Sequence, residues 1–264
     1  MLFGMPYLLE CGSPEGAAAL CRELGLDFLE LNLSFPDCTL AQLTPERLTA
    51  LRERYGIVLT FHLDELLNPC AYEPAIREAW HGSVRRAIGL AREVGAPSVN
   101  LHWERGVYVT LPDRVVYMNQ MYREAYLAQV LAFRQVCAEA SRGRVNVCVE
   151  NTDGWLPFQR EAIELLLEEP CFGLTLDIGH SHCTGGTDED FFAAHADRLR
   201  HMHAHDARGS KCHNAFGTGD IDLRSRLSLA KRAGANVVLE VKTVEALRQT
   251  VSRLPAFLPK EDAP

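Results

Sequence analysis

Short apolar runs alternate with longer amphipathic segments along the whole chain. Eight runs have the length and residue types of buried strands: MPYLLE, DFLELNLS, IVLTFH, SVNLH, VNVCVE, FGLTLD, RHMH and NVVLE. Between them, apolar residues recur every three or four positions and predict helices, most clearly over 14–24, 45–55, 72–94, 115–140 and 223–233. Such an alternation is typical of an α/β protein built on a parallel sheet.

No linker, low-complexity block or run of charge divides these units. Eight strand–helix units in an uninterrupted chain of 264 residues match the usual size of a (β/α)8 barrel. We therefore predict an α/β protein with a single TIM-barrel domain over residues 1–258 and a disordered tail over 259–264. A doubly wound open sheet is the alternative, but no G-x-G-x-x-G motif follows the first strand.

Composition limits the expected partners and location. The net charge of −8 argues mildly against a bare nucleic-acid-binding surface, so we expect no nucleic acid partner. The nine cysteines form no C-x-x-C pair, which argues against a zinc ribbon and fits a reduced cytoplasmic compartment. We predict no signal peptide, and no stretch approaches the roughly 20 apolar residues of a membrane span. The protein is expected to be soluble and cytoplasmic.

Six consecutive strands, the third to the eighth, end in a residue type that binds metal ions. These residues are His62, His102, Glu150, Asp177, His203 and Glu240. In a barrel the carboxyl ends of the strands converge on one mouth, where active sites lie. A lone acid after a strand is usually a solvated residue or a helix N-cap, but six in succession indicate a site. Because converging carboxylates repel one another, the pattern predicts a divalent cation.

The mixed nitrogen and oxygen donor set, without thiolates, does not select a single metal. It suits zinc, manganese, cobalt or iron(II), and magnesium also stays open, with one or two ions expected. His180 and His213 lie in loops just beyond the strands, from which they can point back over the mouth.

The other histidines are given different roles. His201 is expected deeper in the barrel than His203, and His205 in the loop that follows, where histidines usually form hydrogen bonds or face water. His81 and His195 fall in helical patterns and are expected at the surface.

Several of these segments together resemble a known family. FHLDELLNP, VNLHWERG, VCVENTDGW, LTLDIGHSHCTG, RHMHAHDARGSKCHNAFGTGDID and VVLEVK are similar to the motifs of the xylose-isomerase-like TIM barrels. That superfamily joins sugar and sugar-phosphate isomerases and epimerases with endonuclease IV. The resemblance runs from about residue 28 to residue 242. In the isomerase and epimerase branch it implies one divalent ion, held by Glu150, Asp177, His203 and Glu240.

The resemblance to endonuclease IV implies further ligands. The additional metal-binding positions of that enzyme are matched by His62, His102, His180 and His213. One position departs from the pattern, because Lys211 stands where the nuclease has an aspartate. A lysine there would repel a third ion, so the resemblance supports one or two ions rather than three.

The resemblance implies a metal-dependent isomerase or epimerase of a sugar, a keto-acid sugar or a sugar phosphate. Glu150 and Glu240 would exchange a proton with the substrate across an enediolate. Four residues near the mouth are predicted to bind substrate: His180, Arg208, Lys211 and Lys242. Trp103, Trp155 and Phe216 are candidates for the walls of the substrate pocket, with core packing as the alternative.

Three other functions stay open. The first is a metal phosphodiesterase that acts at abasic sites, favoured by His62 and His102 and opposed by Lys211 and the acidic net charge. The second is an enolate-type sugar dehydratase, and the third is a sugar-binding barrel without activity. The expected partner is a small carbohydrate, and a homo-oligomer is left open.

Overall fold

The structure, a computed structural model, describes residues 1–259 and contains a closed barrel of eight parallel strands. Numbered along the chain with two small hairpins included, its strands are β1 (Phe3–Pro6), β2 (Phe28–Asn32), β3 (Val58–His62), β4 (Ser98–His102), β5 (Tyr108–Thr110), β6 (Val115–Tyr117), β7 (Asn146–Glu150), β8 (Phe172–Asp177), β9 (Leu199–Ala204), β10 (Asp206–Arg208), β11 (Lys211–Asn214) and β12 (Asn236–Leu239). The order around the barrel is β1, β12, β9, β8, β7, β4, β3 and β2. The predicted single-domain (β/α)8 barrel is therefore confirmed.

Helices surround the barrel. They are α1 (Pro14–Glu23), α2 (Pro45–Tyr55), α3 (Pro74–Glu93), α4 (Met118–Met121), α5 (Arg123–Ser141), α6 (Pro157–Leu167), α7 (Ile178–Cys183), α8 (Glu189–Ala194), α9 (Leu223–Ala233) and α10 (Val244–Phe257). Local chemistry fixes where several of them begin. The side chains of Ser13, Thr44 and Thr243 each accept a hydrogen bond from a backbone N–H of the first turn. Pro14 and Pro45 occupy the first helical position, where a missing N–H costs nothing.

Alternation along β2 brings a carboxylate into the barrel. Leu29 and Leu31 are fully buried in the apolar core, while the alternate residues Phe28 and Glu30 both contact His201 of β9. Because successive side chains of a strand point to opposite faces, Phe28 and Glu30 share the face that lines the barrel interior. An acid therefore lies inside the barrel, below the mouth.

The first strand lies earlier in the chain than the sequence pattern predicts. β1 pairs through Phe3 and Gly4 with Val237 and Val238 of β12, so it ends before the apolar pair at positions 8 and 9. Those leucines belong to the loop between β1 and α1, part of which is a short 3-10 helix, Leu9–Cys11. The pattern could not separate them from the strand because both are apolar.

The predicted helix over residues 115–140 starts later in the structure. Val115–Tyr117 form β6, which pairs antiparallel with β5, and the long helix α5 begins only at Arg123. Two valines followed by a tyrosine favour a strand over a helix, since β-branched and aromatic side chains pack well on a pleated surface. The loop after β4 is consequently a β-hairpin.

Two further predictions concern the C-terminal tail and membrane-spanning segments. Of the predicted tail over 259–264, residues 260–264 lie outside the described residues. Within residues 1–259, none of the helices is both long enough and apolar enough to cross a membrane.

Candidate metal centre

Four of the predicted ligands meet at the mouth of the barrel. Ligand atoms of Glu150, Asp177, His203 and Glu240 all lie within 4.8 Å of one another. The first three belong to β7, β8 and β9, and Glu240 directly follows β12. His203 Nδ1 lies 3.0 Å from Glu150 Oε1 and 3.1 Å from Glu240 Oε2. Three carboxylates and one imidazole are a donor set that suits a divalent cation.

The burial of this cluster supports the fit to a cation. Glu150, Asp177 and His203 are at most 1% exposed, and the Glu240 side chain is 14% exposed. His203 Nδ1 forms its hydrogen bond with Glu150, and one N–H cannot be aimed at two acceptors. Glu240 Oε2 is therefore buried without a hydrogen bond. An unsatisfied buried carboxylate oxygen is costly, and a cation held by these four residues would remove that cost.

The pKa values of the clustered side chains also support a bound cation. Burial alone would raise the pKa of the Glu150 carboxyl, but His203 and His102 outweigh it and hold that pKa well below its ordinary value. The pKa of Glu240 is lowered in the same manner, chiefly by His203 acting against burial. Burial opposes a charge on His203, yet the surrounding carboxylates raise its pKa well above the ordinary value. The cluster thus attracts positive charge, which a divalent ion can supply in place of the proton.

Asp177 is held in place by the backbone of His180 and by the side chains of Asn151 and His205. Its Oδ1 accepts a hydrogen bond of 2.6 Å from the backbone N–H of His180 and so caps the short helix α7. His205 Nε2 lies 3.1 Å from the carboxylate, and the Asn151 side chain bonds both to the N–H and to the carbonyl of Asp177. A Cβ at Gly179 would lie 1.8 Å from the His205 ring, so the D-I-G-H motif needs glycine there.

His62 and His102 form a second candidate group beside the first. Their Nε2 atoms are 3.2 Å apart and lie 3.4 and 3.7 Å from Glu150 Oε2. Burial lowers the pKa of His102, whereas Glu150 overcomes burial and raises the pKa of His62. The pair could hold a second ion that shares Glu150 with the first. The number of ions stays a prediction.

A third group contains His180, His205 and His213, but one of its members is already engaged. His205 directs Nε2 at Asp177, and its Nδ1 accepts a hydrogen bond of 2.8 Å from the backbone N–H of His213. Burial lowers the pKa of His213 to about 4, which keeps that imidazole neutral. Lys211 lies exposed at the start of β11, so the position at which the nuclease has an aspartate supplies no carboxylate ligand to this group. This group is less suited to an ion than the four-residue cluster or the group formed by His62, His102 and Glu150.

A cavity of about 380 Å³ opens over the candidate ligands. Its polar lining includes Glu150, His203 and Glu240 but not Asp177, and its apolar lining includes Tyr7, Phe35 and the leucines at 8 and 9. Its volume falls in the range of small-molecule sites. Trp103, Trp155 and Phe216 are instead buried in the apolar core.

The four predicted substrate-binding residues fall into two pairs. His180 and Lys242 line the cavity, and Lys242 Nζ donates a hydrogen bond of 2.7 Å to Glu240 Oε1. Arg208 and Lys211 are exposed on the hairpin formed by β10 and β11, outside the lining of the cavity in the described part of the chain. Their contact with substrate stays a prediction.

Two expectations about histidines can be compared with the structure. His81 was expected at the surface, and that was wrong: it is 5% exposed, and its Nε2 lies 2.9 Å from the carbonyl oxygen of Pro69. It lies on the inner face of α3, where the helical pattern alone did not separate it from the outer face. His201 lies inside the barrel as expected and contacts Glu30, an interior acid that reasoning from strand ends missed.

A closed barrel whose strand ends gather acids and imidazoles beneath a cavity is a TIM barrel with a candidate metal centre. The chain belongs to the xylose isomerase-like TIM barrel family, whose model matches residues 18–260. This confirms the resemblance seen in the sequence. A search of curated proteins finds no match.

Solved structures of similar fold include three proteins described as epimerases or epimerase-like. A D-tagatose 3-epimerase-like protein is 20% identical, with a TM-score of 0.77 and 97% of each chain covered. A 3-keto-D-glucoside 4-epimerase from E. coli is 14% identical, with a TM-score of 0.74, and the match covers 97% of this chain and 98% of that one. An L-ribulose 3-epimerase is 13% identical, with a TM-score of 0.71, and the match covers 97% of this chain and 94% of that one. At these identities the comparison establishes a shared fold.

Proposed function

We propose that the protein is a metal-dependent epimerase or isomerase of a small sugar. The observation that carries this proposal is the pair of cavity-lining carboxylates, Glu150 and Glu240, whose oxygens lie 3.0 and 3.1 Å from the same nitrogen, Nδ1, of His203. The names of the three similar structures, all of which refer to sugar epimerases, give independent support.

The candidate ligands are Glu150, Asp177, His203 and Glu240. A divalent ion bound by them would act as a Lewis acid, stabilising negative charge that develops on a substrate carbonyl oxygen. Without an ion, lowered carboxyl pKa values keep Glu150 and Glu240 ionised, which is the form that binds a cation and can act as a base.

Glu150 and Glu240 approach the substrate from different sides of the barrel. β8 and β9 separate their strands, so the two carboxylates face the same cavity from different directions. One ionised carboxylate can remove the proton from the carbon next to the carbonyl, and the other, once it has taken up a proton from solvent, can deliver that proton to the opposite face. This exchange inverts the configuration at that carbon. His180 and Lys242, which line the same cavity, are proposed to bind substrate oxygens.

The charge of the cavity favours an uncharged sugar over a sugar phosphate or a keto-acid sugar. In the described part of the chain, Glu30, Glu65, Glu150 and Glu240 line the cavity, and Lys242 is its only lysine or arginine. The charge of Lys242 is paired with Glu240 at 2.7 Å. Even with one divalent ion bound, these four carboxylates and Asp177 outweigh the charges of the ion and Lys242, so a phosphate or carboxylate group would meet net negative charge, which is unfavourable in a partly desolvated site.

A deuterium-exchange assay tests the proposed function. The protein, supplied with manganese in D₂O, is incubated with free ketopentoses and ketohexoses and with their phosphate esters. We expect deuterium to enter the carbon next to the carbonyl of a free sugar, with kcat/KM at least about 10-fold lower for the matching phosphate ester. Proton NMR measures both. Exchange with none of the sugars would contradict the proposal, and a preference for phosphate esters would contradict the argument from charge.

The second candidate is a metal phosphodiesterase. His62 and His102 favour it, because their approach to Glu150 provides a second possible ion site. A third ion is disfavoured because both ring nitrogens of His205 already have hydrogen-bonding partners and because Lys211 is an exposed lysine rather than an acid.

We expect a duplex with one abasic site to remain uncut by the protein at physiological salt. The reasons are the net charge of −8 and the acidic lining of the cavity, both of which oppose binding of a polyanion. Gel electrophoresis of the labelled strand gives the readout, with an established abasic endonuclease as positive control. Efficient incision would reverse the order of the two candidates.

A further inference from the structure

The interior carboxylate Glu30 lies directly beneath the candidate metal centre. It is 4% exposed, and its Oε2 accepts a hydrogen bond of 3.1 Å from Thr60 Oγ1. His201 Nε2 lies 3.0 Å from the same oxygen. The other oxygen, Oε1, lies 2.9 Å from His203 Nε2, a buried nitrogen that forms no aligned hydrogen bond within the described residues. Glu30 thus connects the barrel interior to one of the four predicted metal ligands.

The His203 ring faces two different groups with its two nitrogens. Nδ1 faces Glu150 and Glu240, on the side of the candidate metal centre. Nε2 faces Glu30. A neutral imidazole binds a metal ion through one nitrogen and carries its proton on the other, and the partner of the protonated nitrogen determines which is which.

We propose that Glu30 is a positioning residue: with a cation bound, it keeps the remaining proton of His203 on Nε2 and so leaves Nδ1 free to bind the cation. The inference rests on the proposed function only in requiring that the cluster binds a divalent ion. A small turn of the ring would align its Nε2–H with Glu30, and a carboxylate bonded in that way fixes the orientation of the ring and increases the electron-donating strength of Nδ1.

The cost of burying Glu30 supports a functional role. A carboxylate inside a barrel is stabilised only by close positive or hydrogen-bonding partners, and here two imidazoles and a hydroxyl supply them. An apolar residue at this position would fill the barrel interior without that cost. Glu30 nevertheless occupies this position, 2.9 Å from Nε2 of His203, the nitrogen that faces away from the candidate metal centre.

Measurements of metal affinity distinguish a positioning role of Glu30 from a role in packing alone. Apo protein is titrated with Co²⁺ by calorimetry and by visible absorption, for the wild type, Glu30→Gln and Thr60→Val. We expect Glu30→Gln to bind Co²⁺ about 10–100-fold more weakly and to change the absorption bands. Thr60→Val removes a hydrogen bond to the same carboxylate without touching His203, so its affinity should match the wild type. Equal affinity of Glu30→Gln and wild type would overturn the inference, as would equal losses in both variants.

A measurement on the wild type keeps the inference testable if Glu30→Gln does not fold. ¹H–¹⁵N NMR of the histidine side chains in the Zn²⁺-loaded protein should show the His203 ring protonated at Nε2 and bound to the metal through Nδ1. Coordination through Nε2 would overturn the inference while leaving the metal centre in place. A wild type that binds neither Co²⁺ nor Zn²⁺ would overturn the proposed function itself, so the two failures can be told apart.

Discussion

The Glu240→Gln variant is expected to fold normally and to lose nearly all epimerase or isomerase activity. Glutamine has the same shape as glutamate but cannot accept a proton at neutral pH. Removing one acid–base group should lower kcat by about 10²–10⁴-fold. Because Glu240 is also a predicted ligand, metal affinity should fall in the same variant, and the assay must therefore be run at saturating metal.

Circular dichroism and thermal unfolding establish that Glu240→Gln is folded, and deuterium exchange gives its kcat. The matched control is Glu78→Gln, which removes an exposed carboxylate of α3 whose contact is with Arg85 at the surface. The control should retain wild-type kcat because Glu78 does not line the cavity, and it should retain wild-type stability because isolated surface ion pairs contribute little. A Glu240→Gln enzyme with nearly full activity at saturating metal would exclude an acid–base role for this residue.

The Asp177→Asn variant should lose the cation while keeping the helix that Asp177 caps. Asparagine is as good an N-cap as aspartate, so the hydrogen bond from the His180 N–H to the side chain can persist. The negative charge is lost, together with the attraction it provides for a divalent ion. Because changes to residues behind a ligand already cost about 10–100-fold in affinity, loss of a ligand charge should cost at least about 100-fold.

Calorimetric titration of apo Asp177→Asn with Mn²⁺ checks this expectation. Asp206→Asn is the matched control, because Asp206 is also buried and lies near the mouth but outside the four-residue cluster. Its carboxylate accepts hydrogen bonds from loop N–H groups, so that variant should unfold at a lower temperature and still bind Mn²⁺. Unchanged Mn²⁺ affinity in Asp177→Asn would show that the ion, if bound at all, lies elsewhere.

Much of the candidate site could be predicted because strand ends are visible in the hydrophobic pattern. The run FGLTLD corresponds to β8, Phe172–Asp177, and the runs ending at His62, His102 and Glu150 end where β3, β4 and β7 end. In a parallel barrel the position of a residue along its strand determines its height above the core. A sequence that gives the strand ends correctly therefore also gives the set of residues at the mouth.

Glu30 and His205 could not be assigned in this way, because their roles depend on contacts between distant elements. Glu30 lies in the middle of β2, and only closure of the barrel brings it to His203 of β9. His205 follows β9, and its approach to Asp177 depends on a close passage of its ring by Gly179. An acid within an otherwise apolar strand was the available signal for Glu30.

The most direct test of the metal centre is anomalous diffraction at the zinc edge from crystals grown with Zn²⁺. The account predicts a strong peak bounded by Glu150, Asp177, His203 and Glu240, at about 2.0–2.2 Å from their ligand atoms. A weaker peak beside His62 and His102 would be compatible with a second ion. Absence of density among the four ligands in well-diffracting crystals would contradict the central claim.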